Sequence, residues 1–202
     1  LGQGFEIMRT AIKPYPCCRS NHGVLDAVIA ITSAIDLKPK DIEQIDVHLS
    51  PTSCQIVAQP EEHKRRPRNV VDAQFSVFFT GALAALDRAF SWSSYQRLND
   101  PEVLDFASRI RVRETTNIKT LQARVVIHTF DGRVFDRTVL FPKGEPENPL
   151  SWEESVGKFR SLATPLIPPV EAKQIVDTVI HIEKQAGFAS LMRLLRPKKV
   201  EL

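Results

Sequence analysis

The residues with the clearest chemical potential lie together near the start of the chain, in residues 13–22 (KPYPCCRSNH). Lys13, Arg19 and His22 surround a proline-stiffened segment that leads directly into an apolar helical pattern. The first turn of a helix leaves backbone N–H groups without partners, and nearby cations strengthen its attraction for anions. The spacing therefore predicts a binding site for a carboxylate or a phosphate.

Each of these side chains has a chemical and a structural interpretation. A helix N-terminus would lower the pKa of His22, so that the neutral ring could act as a base, or the histidine could simply cap the helix. Arg19 could pair bidentately with a carboxylate or lie solvated at the surface. Because a free thiol is a weak acid, with a pKa of ~8.5, Cys17 and Cys18 are interpreted as small buried residues rather than nucleophiles.

The elements that must position this motif follow from the spacing of apolar residues. A strand-like segment over residues 5–15 ends at two prolines. A helix then carries apolar residues from Val24 to Ile35, with Ser20 or Asn21 as its cap and residues 37–39 as its end. Further along, the pattern predicts a strand over 41–49, a short turn or helix over 51–58, a polar loop over 59–69 and a long helix over 71–90.

In the second half of the chain the spacing of the apolar residues changes. Residues 100–101 begin a short helix. Strands are predicted around 110–112, 123–127 and 134–140, with a tight primed hairpin turn at Asp131-Gly132. After a linker over 143–149, Ser151 caps the first of three helices, and the other two cover 170–185 and 188–195. The fold class is therefore α+β: a small mixed α/β domain with an antiparallel sheet, followed by an all-helical C-terminal segment.

Composition narrows the class of protein and of ligand. With 202 residues, 43% of them hydrophobic and 25% charged, the chain is typical of a soluble globular protein. The net charge of +3 suits small anions and is too small to indicate nucleic acid. The basic run at residues 64–68 (KRRPR) could contact an anion, a partner or nucleic acid, and a solvated loop is the preferred interpretation.

Cysteine and histidine usage indicates the compartment and argues against a metal. Three cysteines do not form a disulfide framework, and residues 1–10 carry no signal-peptide pattern, so a reduced, cytoplasmic protein is expected. No apolar run predicts a membrane span. The histidines share no metal-ligand spacing with one another or with Cys54, so no metal site is predicted.

Three short motifs occur in a fixed order along the chain. They are KPYPCC at 13–18 followed by His22 and Asp26, DAQFS at 72–76 at the start of a long helix, and KGEPENPLS at 143–151 with Lys158-Phe159 after it. Each motif alone is weak, but their common order and spacing resemble the MmgE/PrpD family, the 2-methylcitrate dehydratase relatives.

The resemblance implies a larger protein with an N-terminal helical domain, an α+β lid and a helical segment that returns to the first domain. On this basis residues 1–11 are the stump of the missing N-terminal domain, 12–146 the lid domain and 147–202 the returning segment. Family members act without metal or organic cofactor on small di- or tricarboxylates, through dehydration of 2-methylcitrate, decarboxylation of cis-aconitate or epimerisation of iminodisuccinate. A homodimer, or association with the missing domain, is expected, and neither nucleic acid nor a membrane is an expected partner.

These reactions move a proton or expel a group next to a carboxylate, so they need an acid, a base and fixed cations. Lys13 matches the family's active-site lysine and is expected to clamp a carboxylate or donate a proton, with His22 as the second catalytic residue. The alternative interpretation of Lys13 is an ordinary surface lysine. Arg19, Cys18 and Ser76 are the expected substrate contacts, although a serine at a helix start commonly bonds the backbone instead.

Two positions depart from the family pattern and leave a second function open. Some relatives carry a histidine at the position of Cys18, and many carry a tyrosine at Phe79, which argues against decarboxylation. The leading expectation is a hydro-lyase or a related decarboxylase or epimerase, of which this chain is an incomplete part. The alternative is a catalytically inactive fragment, a paralogue or one half of a split enzyme, which would bind a partner through the apolar helix face of Ile175, Val179 and Ile182.

Overall fold

The chain divides at the end of its proline-rich linker. In a computed structural model, which describes residues 2–196, contacts separate the chain into the units Leu1–Pro149 and Leu150–Leu202. Leu1 and residues 197–202, which belong to the predicted stump and the predicted returning segment, lie outside the described residues. The expected combination of a mixed α/β unit and a helical C-terminal segment is confirmed.

Alternating apolar residues build a four-stranded sheet in the first unit. In space the strands β1 (Ile42–Leu49), β2 (Ile110–Glu114), β3 (Ala123–Thr129) and β4 (Val134–Val139) follow the order β2-β1-β3-β4. β1 pairs antiparallel with β3, and β3 with β4, whereas β2 is parallel to β1. The antiparallel sheet is thus confirmed for three strands. A long helical crossover between β1 and β2 makes the fourth strand parallel, so the sheet is mixed.

Helices cover the apolar face of this sheet. Gly23 and Gly81 permit close approach, since a Cβ at Gly23 would lie 3.0 Å from the Leu121 carbonyl oxygen and one at Gly81 would lie 3.1 Å from Cδ1 of Ile110. The α-helices of the first unit are α1 (Arg19–Ala34), α2 (Pro51–Val57), α3 (Glu61–Arg65), α4 (Val70–Gln74), α5 (Val77–Asp87) and α6 (Pro101–Ser108). Short 3₁₀ segments lie at Glu6–Arg9, Pro39–Asp41 and Trp92–Arg97.

The predictions for the start of the chain are wrong in two respects. Residues 5–15 do not form the expected strand. They contain a 3₁₀ turn, and the amide of Ile12 bonds to the carbonyl of Gly144 at 2.9 Å rather than to a neighbouring strand. Helix α1 is preceded by Cys18, whose side chain makes no capping bond. Ser20 and Asn21 therefore lie inside its first turn and are not caps.

The predicted loop and the predicted long helix both differ from the structure. The polar stretch 59–69 contains α3, whose Glu61 and Arg65 form an (i, i+4) ion pair at 2.7 Å, with acids at its start and bases at its end. The predicted helix over 71–90 is two helices, because the hydroxyl of Ser76 caps a new helix by accepting a bond from the Phe79 amide at 3.0 Å. Polar residues thus began helices where sequence patterning indicated a loop or an uninterrupted helix.

The hairpin between β3 and β4 is confirmed, but its turn differs from the predicted one. The amide of Thr129 bonds to the carbonyl of Arg133 at 3.1 Å, and the amide of Gly132 bonds to the carbonyl of Thr129 at 2.9 Å. Three loop residues lie between the closing pair, and among them Gly132 alone has a positive φ, of 84°. This is a longer loop with one left-handed residue, not a two-residue primed turn.

The second unit consists of helices α7 (Trp152–Ala163), α8 (Pro169–Ile180) and α9 (Ala189–Leu194), with a 3₁₀ segment at Ile182–Lys184. Ser151 caps α7 as predicted, since its hydroxyl accepts from the Glu154 amide at 3.1 Å and its own amide donates to the Glu154 carboxylate at 2.6 Å. Ile175 is buried, whereas Val179 is 38% and Ile182 40% exposed. Within residues 2–196, no helix is long and apolar enough to cross a membrane.

Candidate active site

The segment that leads into α1 is held by three other parts of the first unit. The phenol of Tyr15 donates to the Asp26 carboxylate at 2.7 Å, and the phenol of Tyr95 donates to the carbonyl of Pro16 at 2.7 Å. The amide of Cys18 donates to the carbonyl of Gln74 at 2.9 Å. The conformation of the motif is therefore set by α1, by the end of α4 and by the 3₁₀ segment that carries Tyr95.

Lys13 and Cys18 lie together at a cleft of about 260 Å³. The Lys13 ammonium donates one bond, at 3.1 Å, to the carbonyl of Cys17, and among the described residues no carboxylate pairs with it. Its remaining N–H donors are available to an anion. The residues that line the cleft are Lys13, Pro16, Cys17, Cys18, Gln74, Phe75 and Trp92.

His22 lies behind the cleft with no exposed surface. Neither ring nitrogen completes a hydrogen bond, and the ring packs edge-on against Tyr15 at 5.4 Å between centroids. Burial lowers the pKa of His22 to about 4, against the opposing influence of the Cys17 and Tyr15 main chain and with smaller help from the charges of Lys13 and Arg19. The direction of this pKa shift is the one expected from the sequence, but its largest cause is burial rather than the helix terminus.

Arg19 is already engaged by a carboxylate of the chain. Its guanidinium forms a bidentate pair with Glu145, with Nε 3.0 Å from Oε1 and a second, shorter contact between Nη2 and Oε2. The neighbouring Lys143 amide donates to Asp26 at 2.6 Å, so both contacts tie the 143–149 linker to α1. The predicted bidentate geometry of Arg19 occurs, and its partner in this structure is the linker.

Ser76 is buried, and its hydroxyl is fully used by the backbone. It accepts from the Phe79 amide and donates to the carbonyl of Lys64. This arrangement matches the structural alternative of a helix-start serine. Phe79 is also buried, stacked on Tyr95 at 6.1 Å and edge-on to Phe90 at 6.5 Å, and it does not line the cleft.

The two adjacent cysteines differ in their surroundings. Cys17 is buried, and burial raises the pKa of its thiol to about 12, so it has the character of a small core residue. Cys18 is half-buried and lines the cleft. Both thiols are free, as is that of Cys54. Of the residues predicted to contact substrate, only Cys18 therefore shares the cleft with Lys13.

The sequence did not point to the other side of the cleft. Phe75 and Trp92 line it, and the ammonium of Lys64 lies 5.8 Å from the centroid of the Phe75 ring. Lys64 belongs to the basic run interpreted as a solvated loop, but the first two residues of that run end helix α3. The second of them, Arg65, stacks over Phe78 at 4.1 Å. The one sequence feature that could have indicated Phe75 was the DAQFS motif, which places this residue immediately before the Ser76 cap.

Comparison with known proteins identifies a family for this chain. A family model of the MmgE/PrpD C-terminal domain matches residues 15–183. The chain is 27% identical to the cis-aconitate decarboxylase of Aspergillus terreus, over 96% of this chain and 42% of the relative. It is 23% identical to the cis-aconitate decarboxylase of Mus musculus, over 95% of this chain and 40% of the relative.

A further relative is the cis-aconitate decarboxylase-like protein oryM of Aspergillus oryzae, 24% identical over 96% of this chain and 42% of the relative. The chain thus spans about two-fifths of the length of the curated relatives it matches. The matched domain includes the start of α1, the cleft-lining aromatic residues and the linker that pairs with Arg19. The resemblance inferred from the three motifs is confirmed, and the chain belongs to the MmgE/PrpD family.

Proposed function

We propose that this chain supplies the carboxylate-binding part of a cofactor-independent lyase that acts on a small tricarboxylate. The observation that carries the proposal is Lys13, a cation with free N–H donors and no carboxylate partner among the described residues, at a cleft of about 260 Å³. A carboxylate bound there gains charge-assisted hydrogen bonds. The cleft volume is close to the lower end of the size range for small-molecule sites.

Decarboxylation is the preferred reaction, because the relatives named above are cis-aconitate decarboxylases. In it the bond between a carboxylate carbon and its neighbour breaks, CO₂ leaves, and the electron pair on the remaining carbon takes up a proton. Lys13 would hold a carboxylate and stabilise the developing charge. The missing hydroxyl of Phe79, which argued against decarboxylation, carries less weight because that ring lies in the core.

Dehydration of 2-methylcitrate stays the alternative reaction of the same site. A proton leaves the carbon next to a carboxylate while the hydroxyl departs from the neighbouring carbon as water, so this reaction also needs a held carboxylate and a base. His22 is neutral at physiological pH and would meet the second need. Because it has no exposed surface, it would act through a rearrangement of the Tyr15 segment or through another group.

Turnover by the 202-residue chain tests the proposal. cis-Aconitate and 2-methylcitrate are supplied separately, and CO₂ release and water elimination are followed by mass spectrometry. We expect Lys13→Ala to lower turnover by at least about 100-fold, as does the loss of other groups that stabilise transition-state charge.

Lys40→Ala is the matched control, since Lys40 is an exposed lysine with no side-chain contact among the described residues. Equal effects of the two substitutions would contradict the role of Lys13. If the chain neither turns over these acids nor binds them, the result would favour a non-enzymatic partner role. An apolar cleft of about 320 Å³ between the helices of the second unit, lined by residues such as Phe159, Ile175 and Leu191, supports that second candidate.

A further inference from the structure

A tricarboxylate carries more negative charge than Lys13 alone can balance, and this inference rests on the function proposed above. Of the other cations predicted to contact substrate, Arg19 is paired with Glu145. His22 is buried and neutral. A substrate with several carboxylates would be bound more tightly where a second cation lies at the cleft.

Lys64 contacts one of the residues that line the cleft. Its Nζ is 5.8 Å from the centroid of the Phe75 ring, and Phe75 lines the cleft. Its charge also interacts with the thiol of Cys18, which lines the cleft as well. Two separate cleft residues thus locate the Lys64 ammonium beside the same cavity.

The position of Lys64 is built into the fold. The carbonyl of Lys64 accepts the hydroxyl of Ser76, the cap of α5. The next residue, Arg65, donates to the carbonyls of Ala107 at 2.6 Å and Ile110 at 2.8 Å, at the junction of α6 and β2. The end of helix α3 is therefore fixed at the lysine and at the residue after it, which distinguishes Lys64 from a lysine on a solvated loop.

Lys64 also lacks a carboxylate of its own. Among the described residues no acid lies within ion-pair distance of it. Burial lowers the pKa of the Lys64 ammonium, and the charge of Asp72 opposes this shift from a greater distance. The Asp72 carboxylate accepts instead from the Arg68 amide at 3.2 Å and the Asn69 side chain at 3.1 Å. Lys64 is half-buried, so its ammonium has lost part of its hydrating water and has no carboxylate in its place. An incoming anion would supply that missing interaction.

We propose that Lys64 forms a second carboxylate subsite, so that Lys13 and Lys64 together select di- and tricarboxylates over monocarboxylates. The Phe75 ring lines the cavity and also contacts the Lys64 ammonium, and it would pack against the carbon chain that joins the two carboxylates. Lys64 is thus a specificity residue rather than a group that takes part in the chemical step.

NMR titration of the isotope-labelled 202-residue chain tests the subsite. The probes are propane-1,2,3-tricarboxylate, glutarate and butyrate, none of which can react by decarboxylation or dehydration at this site. We expect Lys64→Gln to weaken tricarboxylate binding about tenfold, or about 1.4 kcal/mol, and butyrate binding by less than about twofold. Lys64→Arg should keep most of the discrimination, because it keeps the charge.

Arg66→Gln is the matched control, since Arg66 is an exposed cation at the end of the same helix and should leave all three affinities unchanged. Unchanged tricarboxylate affinity in Lys64→Gln, or an equal loss for butyrate, would overturn the second subsite while Lys13 and the proposed function stand. Failure of the wild-type chain to bind any of the three acids would instead count against the proposed function. Amide spectra of each variant verify that the fold is intact.

Discussion

Titratable side chains gather in two regions of the first unit, and the regions differ in whether these groups have partners of opposite charge. On the outer face of the sheet, His128 bonds to Asp46 at 3.0 Å and Arg124 pairs bidentately with Asp136. At the start of α1, by contrast, both ring nitrogens of His22 are buried without a partner. Lys13 has one backbone acceptor and no acid among the described residues.

The difference teaches that the density of charged residues does not mark a site. Facing residues on neighbouring strands lie close enough to pair, so the charged groups on the sheet face bind one another. A helix start has no such partner strand, and beside it the Lys13 ammonium lies at the cleft with donors left over. Groups left unsatisfied in a folded chain are the better indication of function.

The largest expected loss of unfolding free energy comes from a substitution in the linker, in the region of the cleft rather than in the sheet. Gly144 has a φ of 88°, and a Cβ there would lie 2.0 Å from the carbonyl oxygen of Ile12. We expect Gly144→Ala to lower the free energy of unfolding by about 3 kcal/mol or more, because a left-handed conformation alone costs about 1–3 kcal/mol. Urea unfolding of the whole chain measures this effect.

Gly132→Ala is the control in the other region. Gly132 has a similar φ of 84° in the β3–β4 hairpin, but nothing lies within 4 Å of a Cβ there. We expect a loss of only about 1 kcal/mol, which is the conformational cost without the steric overlap. Equal losses at the two glycines would show that the contact between the linker and Ile12 is not tight.

The next effect tests whether His22 is held neutral. Its pKa of about 4 lies below its ordinary value of 6.5, so between these pH values the unfolded chain binds a proton that the folded chain does not. The free energy of unfolding should therefore fall as the pH drops through this window, by on the order of 3 kcal/mol in total. Urea unfolding at about pH 7 and about pH 5 measures most of this loss.

His22→Gln should remove this part of the pH dependence, and the difference from wild type cancels contributions from carboxyl groups. His63→Gln is the control, since His63 is an exposed histidine on α3. The ring-proton NMR shift of His22 in the wild-type chain gives an independent reading that does not depend on the variant. Titration of this signal near pH 6.5 would contradict the burial argument.

The existence of most elements was predictable, because apolar periodicity is local information. The strand at 41–49, the helix after residue 20 and the Ser151 capping box all occur. The polar run at 59–69 was not predictable as a helix, since its stability depends on contacts of Arg65 with β2 and Phe78 that are far apart in sequence. Parallel pairing of β2 with β1 was also not predictable, because it depends on residues far apart in the sequence.

The candidate site was predictable only in part. Lys13 and Cys18 share the cleft, as adjacent members of one motif. The burial of His22 and the pairing of Arg19 with Glu145 could not be read from the sequence, because the first depends on packing and the second joins residues 126 positions apart. Lys64 was hidden within a basic run whose other members serve the fold or face solvent.

The smallest effect compares two bidentate arginine–carboxylate pairs of similar geometry. In the linker pair, the Glu145 side chain is 10% exposed, whereas in the sheet pair the Asp136 side chain is 44% exposed. Removing the cation from a buried carboxylate leaves an uncompensated charge. We therefore expect Arg19→Met to cost about 2 kcal/mol of unfolding free energy, and Arg124→Met less than about 1 kcal/mol.

Added salt and a second substitution show whether the cost of Arg19→Met comes from the buried Glu145 charge or from loss of attraction between two solvated charges. At about 1 M NaCl the exposed Arg124–Asp136 pair should lose most of its contribution, because screening acts strongly on solvated charges, while the cost of Arg19→Met should persist. Adding Glu145→Gln to Arg19→Met should restore stability, since it removes the charge that was left buried. If the double variant is no more stable than Arg19→Met alone, the linker is held to α1 mainly by the Asp26–Lys143 bond, and the two pairs are energetically alike.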